Sequence, residues 1–361
     1  MENKKKSALV VVLVLAIIGA YGWTRISENE RQSQQTGNET RTAEMEKVRV
    51  QASWILNGEF SNVCSAIVHG YYKEEGLDVE MVPGGPSGAS FIVATNAIAQ
   101  DPDLTLGIDG DLVPLLRGVT KENENEKLRV KAFASFWNEN PYGFIVRKDS
   151  GITSLKDFVK TKSNGEKYKI GVTADSVIQY AIADYADVDV SELNLVTVGF
   201  DATPLLTGQV DALAAYWTTQ AYEVEKAGIE YNFLGVDEMP GYSQPSMIAM
   251  ATDKMLKEKP EVLEKWLRAT IKGSEYIKQN PEKAAEDVRD ARCGGSKLDK
   301  EQEEWLIKKS LPLLSESRVG WMDKEQIMNY AKAYYDLKQI PRVPDAEEIM
   351  DYSILNKIYN D

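Results

Sequence analysis

The chain contains one histidine, His69, and its surroundings argue against catalysis. No nucleophile-elbow motif and no HExxH pair lies near it, so His69 reads as a packed or surface residue. The run Gly84-Gly85-Pro86-Ser87-Gly88 lacks both the P-loop lysine and the dinucleotide spacing. It reads as a turn feeding a helix N-terminus, or as backbone N–H groups that hold a polar ligand atom. Asp109 and Asp111 form a close carboxylate pair suited to acid–base work, but without a partner base or metal ligands they read as helix-capping or ligand-facing. Cys64 and Cys293 lie far apart with no CxxC spacing, which removes the usual zinc and redox readings. They are expected as unpaired buried thiols that pack like small apolar groups, with a meeting in space left open.

Binding is better provided for. Polar and aromatic residues collect where predicted strands end and helices begin, which is where ligands bind in open α/β sheets. Trp54, Asn57, Glu59 and Phe60 follow the first strand, and Asp109 follows the third. Phe136 and Trp137 lie near a crossing, Thr173, Asp175 and Ser176 at another strand end, and Tyr216, Trp217 and Thr218 at a further one. Core packing or capping accounts for any one of them. Together they describe an aromatic-walled cleft suited to stacking a planar or cationic solute, with Trp54 and Trp217 as stacking platforms. Glu59, Asp109, Asp111 and Asp175 are candidates to point inward, and these loops contain no arginine, which disfavours an anion.

The elements that must position these residues alternate between short apolar strands and amphipathic helices, the pattern of an α/β fold with largely parallel sheets. Strands are predicted at 48–53, 77–82 and 104–108, with helices at 62–75 and 89–99 between them. Strands at 130–137 and 142–147 are separated by 138–141, a spacing that suits a hairpin or a crossing between lobes. A second series places strands at 168–173, 193–198, 212–216 and 231–234 and helices at 176–185, 202–207 and 218–227. A strand at 246–251 leads back, and the remainder is helical, punctuated by Pro260, Asn280 with Pro281, and Leu298 with Asp299. Val262, Trp266, Ala269, Ile271 and Tyr276 recur at helical spacing and are assigned to core.

With 361 residues the chain exceeds what one hydrophobic core usually organises, so two lobes, or one domain with a large insertion, are expected. Its 56 acidic and 42 basic side chains leave a net charge of −14, which, without a basic cluster beyond the N-terminus, excludes nucleic-acid binding. Lys4, Lys5 and Lys6 precede an apolar run at 8–20 that closes with Tyr21, Gly22 and Trp23. This is an export signal whose lysines hold the N-terminus in the cytoplasm, placing everything after Trp23 outside. Cleavage after Gly22 and retention as a membrane anchor both suit it. Residues 24–47 are too polar to fold and read as a tether, which favours the anchor.

The segment His69-Gly70-Tyr71-Tyr72-Lys73-Glu74-Glu75-Gly76-Leu77-Asp78-Val79-Glu80, followed by Pro83-Gly84-Gly85, resembles a segment of the periplasmic binding proteins of the nitrate, sulfonate and taurine superfamily. Within it the likeness is to the branch of thiamine-pyrimidine-precursor and riboflavin binders. Gly199-Phe200-Asp201 and the stretch from Leu205 to Ala212 resemble a second segment. The resemblance implies a two-lobed α/β fold of the periplasmic-binding-protein kind (type II) with two crossings. Lobe one is then expected at 48–137 plus 237–361 and lobe two at 138–236, preceded by the signal or anchor at 1–23 and the tether at 24–47. It further implies a monomeric, non-enzymatic component of an ABC uptake transporter, with a permease and its ATPase as partners and no cofactor or metal. The expected solute is an aromatic heterocycle, a thiamine-pathway pyrimidine or a flavin; a sulfonate, taurine or nitrate binder is an alternative. The same family includes a pyrimidine synthase that consumes an active-site histidine. Residues 57–61 here contain none and the synthase's cysteine-rich motif is absent, so an exported enzyme of that kind is the runner-up, followed by a solute-sensing module.

Overall fold

The structure, a computed structural model, describes residues 45–87, 90–91, 93–174 and 176–360. The export-signal run, the tether up to Glu44, and Asp175 lie outside the described residues. Among the described residues, no helix is long and apolar enough to cross a membrane.

Strand β1 (Glu46–Ala52) starts two residues before the predicted strand and alternates so that Val48, Val50 and Ala52 are fully buried. It pairs in parallel with β2 (Leu77–Val82) and with β5 (Leu106–Asp109). The first sheet is completed by β6 (Val130–Trp137) and β12 (Ser246–Thr252), in the order β2-β1-β5-β12-β6. The second sheet holds β7 (Tyr142–Arg147), β8 (Lys169–Val172), β9 (Asn194–Thr197), β10 (Ala212–Tyr216) and β11 (Tyr231–Gly235), in the order β11-β7-β10-β8-β9. Residues 138–141 are therefore a crossing between sheets, and residues 236–245 carry the chain back. Both sheets are mixed: β12 runs antiparallel to β5 and β6, and β7 antiparallel to β10 and β11. The crossings enforce this, because a strand entered from the other sheet comes in against the local chain direction.

The helices depart from the sequence reading at two places. The helix predicted over 62–75 is interrupted by Gly70, whose φ of 78° ends one helix and starts another. Helix α1 (Ser61–Val68) and the short α2 (Tyr71–Glu74) result. The glycine run does not feed a helix directly: a two-stranded hairpin, β3 (Pro86–Ser87) and β4 (Ser90–Phe91), intervenes, and helix α3 (Ala94–Gln100) begins after it.

Beyond β12 the chain is helical, as expected, and packs on the first sheet. Helix α9 (Pro260–Gln279) buries Trp266 completely, with the rings of Tyr72, Phe133 and Phe136 within 6.4 Å of it. The reading of Cys64 and Cys293 as unpaired thiols is corrected. Helix α10 (Pro281–Val288) delivers the loop bearing Cys293 onto α1, and the two cysteines form a disulfide with Cα atoms 5.9 Å apart. Their sequence separation of 229 residues hid a contact that only packing of the helical layer creates.

Candidate functional site

The loop after β1 is built around a single-turn 3-10 helix, Gly58–Phe60. Asn57 caps it, its side-chain oxygen accepting from the Glu59 amide at 3.1 Å. Beneath the turn, the Glu303 carboxylate accepts from the Gly58 amide at 2.6 Å. A side chain at position 58 would crowd the helix beneath it, since a Cβ would stand 2.9 Å from the Leu306 methyl, which would have to shift. The turn directs Glu59 toward the second sheet, where the Thr218 hydroxyl donates to its Oε1 at 3.3 Å. Burial pushes the Glu59 carboxyl up to about 7, opposed by the Thr218 hydrogen bond and reinforced by Glu303, which burial itself raises to about 7.

The loop after β5 separates its two carboxylates by function. Asp109 is 3% exposed and caps α3, accepting from the amides of Ala94 and Thr95 at 3.0 and 2.9 Å and from the Thr95 hydroxyl. Asp111 is half-buried, accepts from the Val113 amide at 2.8 Å, and is pushed up to about 6 by burial and then by Asp109. Between them, the Gly110 carbonyl accepts from Asn140 at 3.0 Å and from the Ser246 hydroxyl at 2.6 Å. Asn140 of the first crossing and Ser246 at the start of β12 thus hold this loop in place.

Across from it, Asn140 also lies beside the Tyr216 hydroxyl. A Cβ on Gly110 would stand 3.2 Å from that oxygen, so glycine permits the approach. The rings of Tyr216 and Tyr142 lie 5.4 Å apart, and the Tyr142 hydroxyl is 3.5 Å from that of Ser176. Behind them, Tyr330 and Tyr334 of α12 (Lys324–Asp336) pair at 4.7 Å. Gln244 of the second crossing donates to Tyr330 at 2.9 Å and accepts from the Leu112 amide at 2.9 Å. Burial, followed by other effects among which the Asp111 charge figures for all four, keeps the four phenols protonated. The arrangement is a carboxylate among tyrosines, with a second carboxylate at Glu59 and no positive charge on any side chain named here. It can accept hydrogen bonds from a polar, planar molecule and attract a cation to its ring faces.

Of the residues singled out by sequence, Glu59, Asp111, Ser176, Tyr216 and Thr218 join this group. Trp54 and Trp217 are half-buried at its flanks, edge-on to Phe200 at 5.7 Å and to Phe233 at 6.5 Å. Thr173 is half-buried at the end of β8. Asn57 and Asp109 serve as caps. Phe60, Phe136 and Trp137 are at most 3% exposed and belong to the core. The sequence reading did not include Asn140, Tyr142, Gln244, Tyr330 and Tyr334. The Asn138–Pro141 turn signal pointed to Asn140 as a crossing residue; Tyr142 opens the strand after it, and the others look like ordinary loop and helix positions.

The model of the NMT1/THI5-like family matches residues 57–284, more than half of the chain. The chain belongs to this family. It is 26% identical over 261 residues to the formylaminopyrimidine-binding protein of Halalkalibacterium halodurans, covering 69% of this chain and 72% of that one. It is also 24% identical over 244 residues to a 4-amino-5-hydroxymethyl-2-methylpyrimidine phosphate synthase of Legionella pneumophila, covering 66% of this chain and 72% of the synthase. The NMT1/THI5-like relatives thus include both a binding protein and synthases. In structure the chain resembles the periplasmic nitrate-binding protein of Synechocystis PCC 6803, with a TM-score of 0.65 at 9% identity over 88% of this chain and 89% of that one. The shared fold is the two-lobed α/β architecture.

Proposed function

We propose that this NMT1/THI5-like chain is the extracytoplasmic solute-binding component of an ABC uptake transporter, that it captures an aminopyrimidine-like heterocycle between its lobes, and that it is not an enzyme. The carrying observation is the convergence of strand-end loops from both sheets on Glu59, Asp111, Tyr142 and Tyr216. A carboxyl group near its midpoint at neutral pH, as Glu59 is, offers one donor and one acceptor, or two acceptors when ionised. That matches the adjacent ring nitrogen and exocyclic amine of an aminopyrimidine. The tyrosine rings supply planar contact. The relative named for formylaminopyrimidine binding supports this solute class over a sulfonate or nitrate, whose charge the two carboxylates would repel.

The lobes are taken as 48–137 plus 237–361 and 138–236, with the solute stabilising their closure so that both present to a permease whose ATPase supplies the energy. Export, with anchoring through residues 8–23, agrees with a disulfide, which persists outside the cytoplasm. The synthase reading is favoured by the Legionella relative. Against it, residues 57–61 contain no histidine, and His69 is occupied outside the cleft, 3.0 Å from the Asp287 carboxylate and against the Tyr276 ring.

A melting-shift screen of the full chain against aminopyrimidines, thiamine, riboflavin, taurine and alkanesulfonates tests the reading, with each solute checked afterwards for conversion. An aminopyrimidine that raises the melting temperature and is recovered intact is the expected result. A shift with sulfonates alone overturns the solute class, and conversion overturns the function.

A further inference from the structure

Helix α11 (Lys300–Ser310) touches both halves of the cleft from outside it. Its buried face carries Glu303, which holds the Gly58 amide at 2.6 Å, with Leu306 and Ile307 filling the space beside Gly58. This is the turn that presents Glu59. The adjacent face carries Trp305 and Lys309, one helical turn apart. Trp305 Nε1 donates to Glu225 Oε2 at 2.9 Å and Lys309 Nζ lies 3.3 Å from Glu225 Oε1. The Trp305 ring meets Tyr222 edge-on at 5.5 Å. Glu225 and Tyr222 belong to helix α7 (Gln220–Lys226), which follows the loop bearing Tyr216 and Thr218. Glu225 is in turn fixed by the Tyr231 hydroxyl at 2.8 Å.

Helix α11 therefore grips the site turn of the first sheet with one face and the site helix of the second sheet with the other. We propose that Trp305 and Glu225 are positioning residues for solute capture: they form a clasp outside the cleft that lengthens the life of the closed state without taking part in choosing the solute. This rests on the solute-capture reading above. Lys309 and Glu225 are both well exposed, so their ion pair adds little. The weight falls on the indole-to-carboxylate hydrogen bond and the Tyr222 contact. Because the clasp ties the Gly58 turn of the first sheet to helix α7 of the second, its loss is expected to change dissociation and leave encounter unaffected.

The variants Trp305→Phe and Glu225→Gln of the full chain, each conservative in shape, provide the test. Stopped-flow binding of an aminopyrimidine should give association rates equal to wild type and dissociation rates about 3- to 10-fold faster, with the ranking of solutes unchanged. Hydrogen exchange without solute should be faster at residues 58–60 and 220–226 in both variants. Unchanged dissociation and exchange overturn the clasp, as does a loss seen wholly in association. If wild type binds none of the solutes, the capture reading fails, and the exchange comparison alone decides whether α11 clasps the two halves.

Discussion

At the scale of single residues, two aspartates two positions apart have different work. Asp109 satisfies the first amides of α3, whereas Asp111 stays half-buried and faces the tyrosines. Asp109→Asn should lower stability by about 1 kcal/mol or more, read as a lower melting temperature, because it weakens a buried cap. The raised carboxyls make a second prediction. Glu59 and Glu303 ionise ordinarily at 4.5 and Asp111 at 3.8, but in the folded chain they do so near 7, 7 and 6. Between those values the folded state holds protons that the unfolded chain has released, so stability falls as pH rises through the interval. Asp157, Asp290 and Glu348 are held down at about 2 and act oppositely, contributing stability that is lost only as pH falls below about 4. The melting temperature should therefore be higher near pH 5 than near pH 8, and Glu303→Gln should flatten the decline. A melting temperature that rises steadily from pH 5 to pH 8 would contradict this balance. Sequence alone left Asp109 between capping and binding because the helix it caps begins fifteen residues earlier, at Ala94, and reaches it only through the fold.

At the scale of elements, the strand series was readable from alternation in β1, where Val48, Val50 and Ala52 follow the pleat, and from a short run buried throughout in β5. The breaks were less so. Gly70 sits in a stretch of good helical periodicity, and its left-handed backbone follows from where α2 must pack. The disulfide was unreadable for the same reason, because α1 and the Cys293 loop meet only after α10 has docked. It closes a loop of 229 residues, for which chain entropy in the unfolded state gives a contribution of roughly 5 kcal/mol. Reduction with dithiothreitol should lower the melting temperature clearly, and the Cys64→Ser, Cys293→Ser double variant should match reduced wild type. If reduction leaves melting unchanged, the bond does not contribute to the fold.

At the scale of the whole molecule, two mixed sheets joined by two crossings bring loops far apart in sequence to one cleft, where Asn140 of the first crossing and Ser246 at the start of β12 hold the Gly110 carbonyl. The five-loop reading found the Glu59 and Tyr216 ends of this cleft. It missed Tyr142, which opens a strand, and Tyr330 and Tyr334, which come from a C-terminal helix that sequence assigns to packing. The central claim is capture of an aminopyrimidine-like solute by carboxylates among tyrosines, and it is tested most directly by calorimetric titration of wild type and Asp111→Asn with a 4-aminopyrimidine at pH 7. Saturable binding to wild type, weakened about tenfold or more in the variant as expected for a lost hydrogen bond to a charged group, is the predicted result. Equal affinity in the two proteins, or no binding to wild type while a sulfonate binds, would contradict it.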